Sequence, residues 1–485
     1  MTKLVTDALV EAVEFARAWH ADKPASRPAY DLTVAAAHVA AYADRERPPV
    51  IAAGGVIAAN RALLDAGELK AIDLVGQSLA AIDRRNDELY AFVEILEVEA
   101  REQAAKLDAD LAAGRDRGPL HGVPVSVKDL YAVRGGTTRA GSLAYENRDR
   151  DDASAVSKLR EGGAVIVGKT ATHEFAIGVT APQSRNPHDP SRIAGGSSAG
   201  AAIAVATGMG LVALGTDTRG STRIPAALCG VVGLKPTYGS IALDGVFPLS
   251  WTTDHGGVIA KSVADAALTL GVVSEAPQAL GGQTKPVREM RIGIPRAAWT
   301  AVEAAVEDSV DAALTAFAAS GAELVDVDRP NGDDFDRANL MSLIVSRCEA
   351  AVFHRDLGLD RALYSPESRS QLDAADGVSA EDYIAAQRFR AQLQQEMLAV
   401  FEPVDALLMP TVPMLAPLRE DAAAQSIALT RNVALWSFVG FPAVSVPCAP
   451  AASGLPVGLQ IVAAPHAEAA MIAVGRAIEQ GVKAR

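Results

Sequence analysis

Lys128 ends the segment PVSVK (124–128), an otherwise mostly apolar stretch that reads as a strand. An ammonium group there is costly, because burial disfavours its charge and pushes its pKa down. Two outcomes are open. Lys128 either pairs with Asp129 or a more distant carboxylate and is structural, or it stays neutral and serves as a base. Further along, Ser197 in AGGSSAG and Ser221 in TDTRGSTR stand 24 residues apart, each inside a glycine-rich turn. Such turns expose backbone N–H groups and let the chain approach a ligand closely. A serine hydroxyl is a weak nucleophile that needs a base within hydrogen-bond reach, and a desolvated lysine is one such base.

Three shorter patterns match well-known signatures and mislead. GAVIVGKT (163–170) has the spacing of a phosphate loop, yet Ala164, Val165, Ile166 and Val167 favour a buried strand where the loop should bend. GSSAG (196–200) fits a nucleophile elbow, but NPHDPSRIAG before it is a loop and not a strand. The downstream histidines that could complete such a site are His255, His354 and His466. His173-Glu174 lacks the second histidine of a zinc-binding helix, and no His, Cys and carboxylate cluster has metal spacing, so no metal is expected.

The elements that must position these residues emerge from pattern. Residues 1–65 read as a separate helical extension, with Pro24, Pro28 and the Pro48-Pro49 pair punctuating the stretch after its first helix. Two amphipathic helices lead to Gly114. Short β-branched runs then appear at 124–128, 164–168, 211–217, 291–295, 322–327, 405–412, 443–448 and 458–463, with alanine-rich helical stretches between many of them. This alternation predicts an α/β protein, a large sheet covered by helices on both faces. Residues 274–290 read as a joining loop and 360–382, which mixes Pro, Ser, Asp and Gly, as a mobile excursion.

Composition sets the outer bounds. The chain has 485 residues, 49% hydrophobic and 21% charged, which is a globular balance. Lys plus Arg is 45 against 59 Asp plus Glu, a net charge of −14 that opposes binding to nucleic acid through a basic footprint. Ile193 to Thr216 carries no charge, but it is rich in Gly, Ser and Ala and reads as a buried helix between loops rather than a membrane span. Asp7, Glu11 and Glu14 interrupt the apolar run that a signal peptide would need. Cys229, Cys348 and Cys448 are too few and too scattered for a disulfide framework, and a cytoplasmic protein is expected.

One set of motifs is much longer than the others. GPLHGVPVSVKDL (118–130), GAVIVGKT with THEFAIG (163–178), NPHDPSRIAGGSSAG (186–200) and GTDTRGSTRIPAALCGVVGLKPTYG (215–239) resemble the amidase signature family, whose hallmark is a Ser–Ser–Lys triad. The likeness continues through PLSWTTDHGG (248–257), DALLMPTVP (405–413), FPAVSVP (441–447) and LPVGLQIV (455–462), and covers about residue 68 to the C-terminus. It implies a large mixed sheet in an amidase signature domain at 66–485. It also implies Lys128 as base, Ser197 as a bridging serine with a cis peptide bond, and Ser221 as the nucleophile that forms an acyl-enzyme. The backbone N–H groups of Thr218, Arg219, Gly220 and Ser221 are then the candidate oxyanion donors. Neither metal nor cofactor is required.

This chain departs from the family's Thr-Asp-Thr-Gly-Gly-Ser turn, because Arg219 replaces the first glycine. Its guanidinium either enters the pocket to meet a carboxylate or second carbonyl of the substrate, or points outward to anchor the turn on Asp217 or Asp254. Ser198 is a further candidate substrate contact. Asp217 and Arg223 resemble the family's supporting pair, and Cys229 reads as a small buried apolar residue. Pocket walls are expected from 130–180 and 300–440. The expected activity is hydrolysis of the C–N bond of a small amide or of a hydrazide, anilide, urea or carbamate, with esters also reacting. The alternatives are the catalytic subunit of a tRNA-dependent amidotransferase and a non-catalytic scaffold. The expected partner is a small amide-like substrate, with no nucleic acid and no membrane, and a homodimer is left open.

Overall fold

The computed structural model describes residues 2–21, 55–275, 277 and 284–483. The proline-punctuated stretch at 24–49 and part of the joining loop lie outside the described residues. Eleven strands form one sheet: β1 (Phe92–Ile95), β2 (Pro124–Lys128), β3 (Val165–Thr170), β4 (Val212–Asp217), β5 (Val232–Lys235) and β6 (His255–Ala260), then β7 (Arg291–Ile294), β8 (Glu323–Asp326), β9 (Ala406–Pro410), β10 (Ala443–Pro447) and β11 (Gly458–Val462). Their spatial order is β1-β3-β2-β4-β6-β5-β10-β11-β9-β7-β8. β2 runs parallel to β3 and β4, and β7 parallel to β8 and β9. The remaining neighbours are antiparallel, so the sheet is mixed, as expected.

Side chains alternate between two cores, as strand geometry requires. Val165, Val167, Ala213 and Ile259 join a core with the helices Ala71–Leu89, Glu97–Ala112 and Ala199–Thr207. Their neighbours Ile166, Val212, Leu214, Val258 and Ala260 join another with Ser154–Glu161, Val263–Val273, Ala304–Ala318 and Glu468–Lys483. Cover on both faces explains why the central strands are apolar throughout rather than alternating.

The uncharged stretch from Ile193 resolves into the short helix Ala199–Thr207 and the start of β4. Its small residues let it lie against backbone. A Cβ on Gly200 would stand 2.2 Å from the Ala91 carbonyl oxygen and 2.5 Å from the Ala171 nitrogen. No helix among the described residues is long and apolar enough to cross a membrane.

Three strands, β1, β5 and β6, lie outside the expected set. β1 is a four-residue link between two helices. In β5 and β6 the strand signal is diluted by Gly233, Gly256 and Gly257, which are required by close packing. A Cβ on Gly257 would meet Thr222 Oγ1 at 2.3 Å, and one on Gly233 would meet Ala226 Cβ at 2.5 Å. These glycines let Thr222 and the helix Arg223–Cys229, directly after the serine turn, lie flat on the sheet.

At the other end of the chain, the helix Thr2–Ala21 buries Ala8, Leu9, Ala12, Val13 and Ala16 against the helices Gly332–Leu357, Pro366–Ala374 and Ala380–Val400. Arg17 clamps both oxygens of Asp382, at 2.9 and 3.0 Å. The excursion at 360–382 is largely helical. Ser365 accepts from the Ser368 N–H and Pro366 opens the helix Pro366–Ala374, so residues that look like loop formers are a helix start.

Candidate active site

β2, third from one edge of the sheet, delivers Lys128 beside the end of β4. Its ammonium is sealed from solvent, and Nζ donates to Ser197 Oγ and to Thr216 Oγ1, each at 2.7 Å. Burial pushes its pKa down to about 7, against the upward pull of Asp254 and Asp217. The structural alternative for this lysine falls to its neighbour. Lys169, on β3, is equally buried, and it takes Asp129 at 3.2 Å and Asp149 at 3.3 Å. The phosphate-loop lookalike is therefore a strand with an ion-paired lysine.

Ser197 follows a cis peptide bond from Gly196 and precedes the helix Ala199–Thr207. Its carbonyl accepts from the His173 N–H at 3.1 Å. A Cβ on Gly196 would come within 2.7 Å of the Val179 carbonyl carbon, so only glycine lets these chains touch. The Ser198 N–H donates to the Ser221 carbonyl at 3.1 Å, which ties the two serine turns together. Ser221 is 4% exposed, and its hydroxyl has no hydrogen-bond partner among the described residues. The link from Lys128 to Ser197 is closed, and the one from Ser197 to Ser221 is open.

Two expected contacts are corrected by the geometry. Gly220 cannot be counted a free oxyanion donor, because its N–H is given to Asp217 Oδ1 at 2.8 Å. The N–H groups of Thr218, Arg219 and Ser221 have no acceptor among the described residues. Ser198, expected to touch substrate, turns its hydroxyl to the Thr216 carbonyl at 3.2 Å and is sealed.

Asp217 organises the turn. Besides the Gly220 N–H it accepts from the Thr222 N–H, from Ser437 Oγ and from Arg223 through two nitrogens. Burial alone would raise its carboxyl, but the Arg223 guanidinium holds it well below the usual carboxylate range. Arg219 takes neither of the anchors proposed for it. Its Nε donates to Ser342 Oγ at 2.9 Å, and its Nη2 to Asn339 and Thr430, all buried neutral groups. Burial, then the like charge of Arg347, pushes this guanidinium well below its ordinary value.

A cavity of about 430 Å³ opens beside Thr216, Thr218 and Asp254. Its walls include Leu130, Ile241, Phe247 and Trp251, so they come mainly from 238–254 rather than from 300–440. Asp254 accepts from Thr218 Oγ1 at 2.6 Å, and burial pushes its pKa up to about 6. Sequence reasoning named Asp254 only as a possible anchor for Arg219 and missed Thr216, Asn339 and Ser342, of which the last two carry no motif of their own. The histidines serve elsewhere: His255 Nδ1 lies against the backbone oxygens of Thr253 and Asp217, and His173 Nε2 against Glu367. All three cysteines are free, and burial raises the Cys229 thiol. Among the described residues no group of three or more His, Cys, Asp or Glu is placed to hold a metal.

The mixed sheet thus seats a desolvated lysine on two hydroxyls, beside a serine turn with unbonded N–H groups. The family model for Amidase matches residues 73–472, and the chain belongs to that family, whose chemistry is at carbon–nitrogen bonds. It is 36% identical to an amidase of Pseudomonas putida over 81% of this chain and 88% of that protein. It is 34% identical to the A subunit of the glutamyl-tRNA(Gln) amidotransferase from Koribacter versatilis (strain Ellin345), over 83% and 93%. A solved amidase crystal structure superposes with a TM-score of 0.79 at 34% identity, covering 88% of this chain and all of that one.

Proposed function

We propose that the protein hydrolyses the C–N bond of a small carboxylic amide, or of an amide-like hydrazide, anilide, urea or carbamate, through an acyl-enzyme on Ser221. The observation that carries this reading is Lys128 Nζ, fully buried, without a carboxylate partner, and 2.7 Å from Ser197 Oγ. Neutral Lys128 takes the Ser197 hydroxyl proton as Ser197 takes the Ser221 proton, and Ser221 Oγ bonds to the substrate carbonyl carbon. The N–H groups of Thr218, Arg219 and Ser221 receive the oxyanion. The proton returns through Ser197 to the leaving nitrogen as the C–N bond breaks. Water then attacks the acyl ester by the same relay and releases Ser221. Residues 1–65 are, on this reading, an addition to a domain at 66–485 in a cytoplasmic enzyme that works alone or as a homodimer.

A panel of amides, hydrazides, carbamates and esters assayed with wild type and Ser221→Ala tests the proposal. Turnover by wild type and at least about a 10³-fold loss in the variant are expected. Equal rates would overturn it. The likeness to amidotransferase proteins favours a second reading, in which the chain releases ammonia from glutamine for partner subunits. Activity of the purified chain on simple amides, with none on glutamine, decides against that. Labelling of Ser221 by a fluorophosphonate disposes of a silent scaffold.

A further inference from the structure

Four arginines are buried among the described residues: Arg219, Arg223, Arg347 and Arg431. Arg223 pairs with Asp217 at 2.9 Å and Arg431 with Asp336 at 2.6 Å. Arg219 and Arg347 bond only to neutral groups. Glu367 acts on Arg347 as an opposite charge, but Arg219 feels only burial and the like charge of Arg347, and taking a cation out of water without a counter-ion costs several kcal/mol, so Arg219 calls for a reason. The two are close enough for Arg347 to act on Arg219 as a like charge.

Both arginines border the serine turns. Arg219 stands two residues before Ser221. Arg347 Nη2 holds the Ile177 carbonyl at 2.6 Å, on the segment whose His173 N–H binds the Ser197 carbonyl. Arg219 Nε and Nη2 are fixed by Ser342, Asn339 and Thr430, which leaves Nη1 without a partner among the described residues and not sealed from solvent. A guanidinium held in this way is preorganised, with donors left over for a planar anion. A purely structural strut would explain the bonds of Nε and Nη2. It would not explain why the strut is charged, nor why a second cation lies beside it.

We propose that Arg219, in the positive field of Arg347, binds a carboxylate carried by the substrate, so that the enzyme acts on amides whose acyl or amine part bears an ionised carboxyl group. This rests on the assignment of Ser221 as the nucleophile.

The test uses the full chain and a matched pair of substrates: the monoamide of a short dicarboxylic acid, and the neutral amide in which a methyl group replaces the carboxylate. Wild type, Arg219→Gln and Arg219→Lys are compared by the ratio of kcat/KM on the two substrates. Wild type is expected to favour the ionised amide by at least about 30-fold, the size of a charge-assisted contact. Arg219→Gln should bring the ratio close to one, chiefly through KM, and Arg219→Lys should keep part of the preference. A wild-type ratio at or below one overturns the proposal whether or not the variants fold. A ratio that Arg219→Gln leaves unmoved, because both substrates lose equally, also overturns it. Fluorophosphonate labelling of Ser221 and binding of a short dicarboxylate, read as a thermal shift, separate the two claims. No labelling with a shift that is present in wild type and lost in Arg219→Gln sinks the hydrolase reading and keeps the anion site. Labelling without that shift or preference does the reverse.

Discussion

Lys128 and Lys169 sit on adjacent strands, both sealed from solvent, yet their surroundings give them opposite work. Lys169 meets two carboxylates, whereas Lys128 meets two hydroxyls and is pushed down to about 7. As a base Lys128 must be neutral, so kcat/KM should rise with pH through a midpoint near 7. Lys128→Met should lose about 10²–10⁴ in kcat/KM, the usual worth of a positioned general base. The same depression has a stability consequence. The unfolded chain binds this proton up to a pKa of about 10.4, so between about 7 and 10.4 it holds more protons than the folded one and stability rises with pH. Lys128→Met removes that contribution, and its unfolding free energy measured from pH 7 to 10 should climb less steeply than that of wild type. An unchanged slope would show that Lys128 is charged in the folded protein. In the sequence, the cost of a lysine on an apolar strand was visible, but the choice between carboxylate and hydroxyl was not. That choice is made by Thr216 and by Asp129 turning to β3, through pairings between segments far apart in the chain. The direction of Arg219 was hidden for the same reason, since its partners lie on the helix Gly332–Leu357 and at Thr430.

Glycines mark where elements must touch in order to bring Ser197 and Ser221 together, and they are also why two of the three unexpected strands escaped the pattern. A strand of small residues, such as HGGVIA, lacks the β-branched signal because its neighbours need the room. Apolar runs such as β3 and β11 were legible because both faces are covered and most positions are apolar. The helix that follows Ser197 illustrates the energetic side. Gly200 and Gly76 are both helical, but a Cβ at Gly200 collides with the backbone of Ala91 and Ala171, while at Gly76 nothing lies within 4 Å. Gly200→Ala should therefore destabilise the protein by about 2–4 kcal/mol, since rigid backbone cannot give way. Because the helix starts next to Ser197, activity should fall with it. Gly76→Ala should instead stabilise by up to about 1 kcal/mol through helix propensity alone. Denaturant midpoints of the two variants check the contrast, and a shift of equal sign in both would mean that close approach is not what Gly200 provides.

At the scale of the whole molecule, the charge balance and the site pull in opposite directions. The sequence carries a net charge of −14, while the serine turns are bordered by two cations that hydrogen-bond only neutral groups among the described residues, with Glu367 acting as an opposite charge on Arg347 alone. Composition alone gives the long-range field, and that field opposes a general basic footprint. It could not reveal a short-range positive site, because that depends on which arginines the fold leaves unpaired. An anionic substrate is repelled at a distance and attracted at contact. Salt separates the two, because exposed charges more than about 10 Å away are screened at about 0.1 M ionic strength, while a buried contact is screened much less. Raising the ionic strength from about 0.02 to about 0.2 M should therefore lower KM for the carboxylate-bearing amide and leave KM for the neutral amide nearly constant. A KM for the charged amide that rises with salt would mean that its attraction comes from exposed surface charge, and that Arg219 and Arg347 do not receive it.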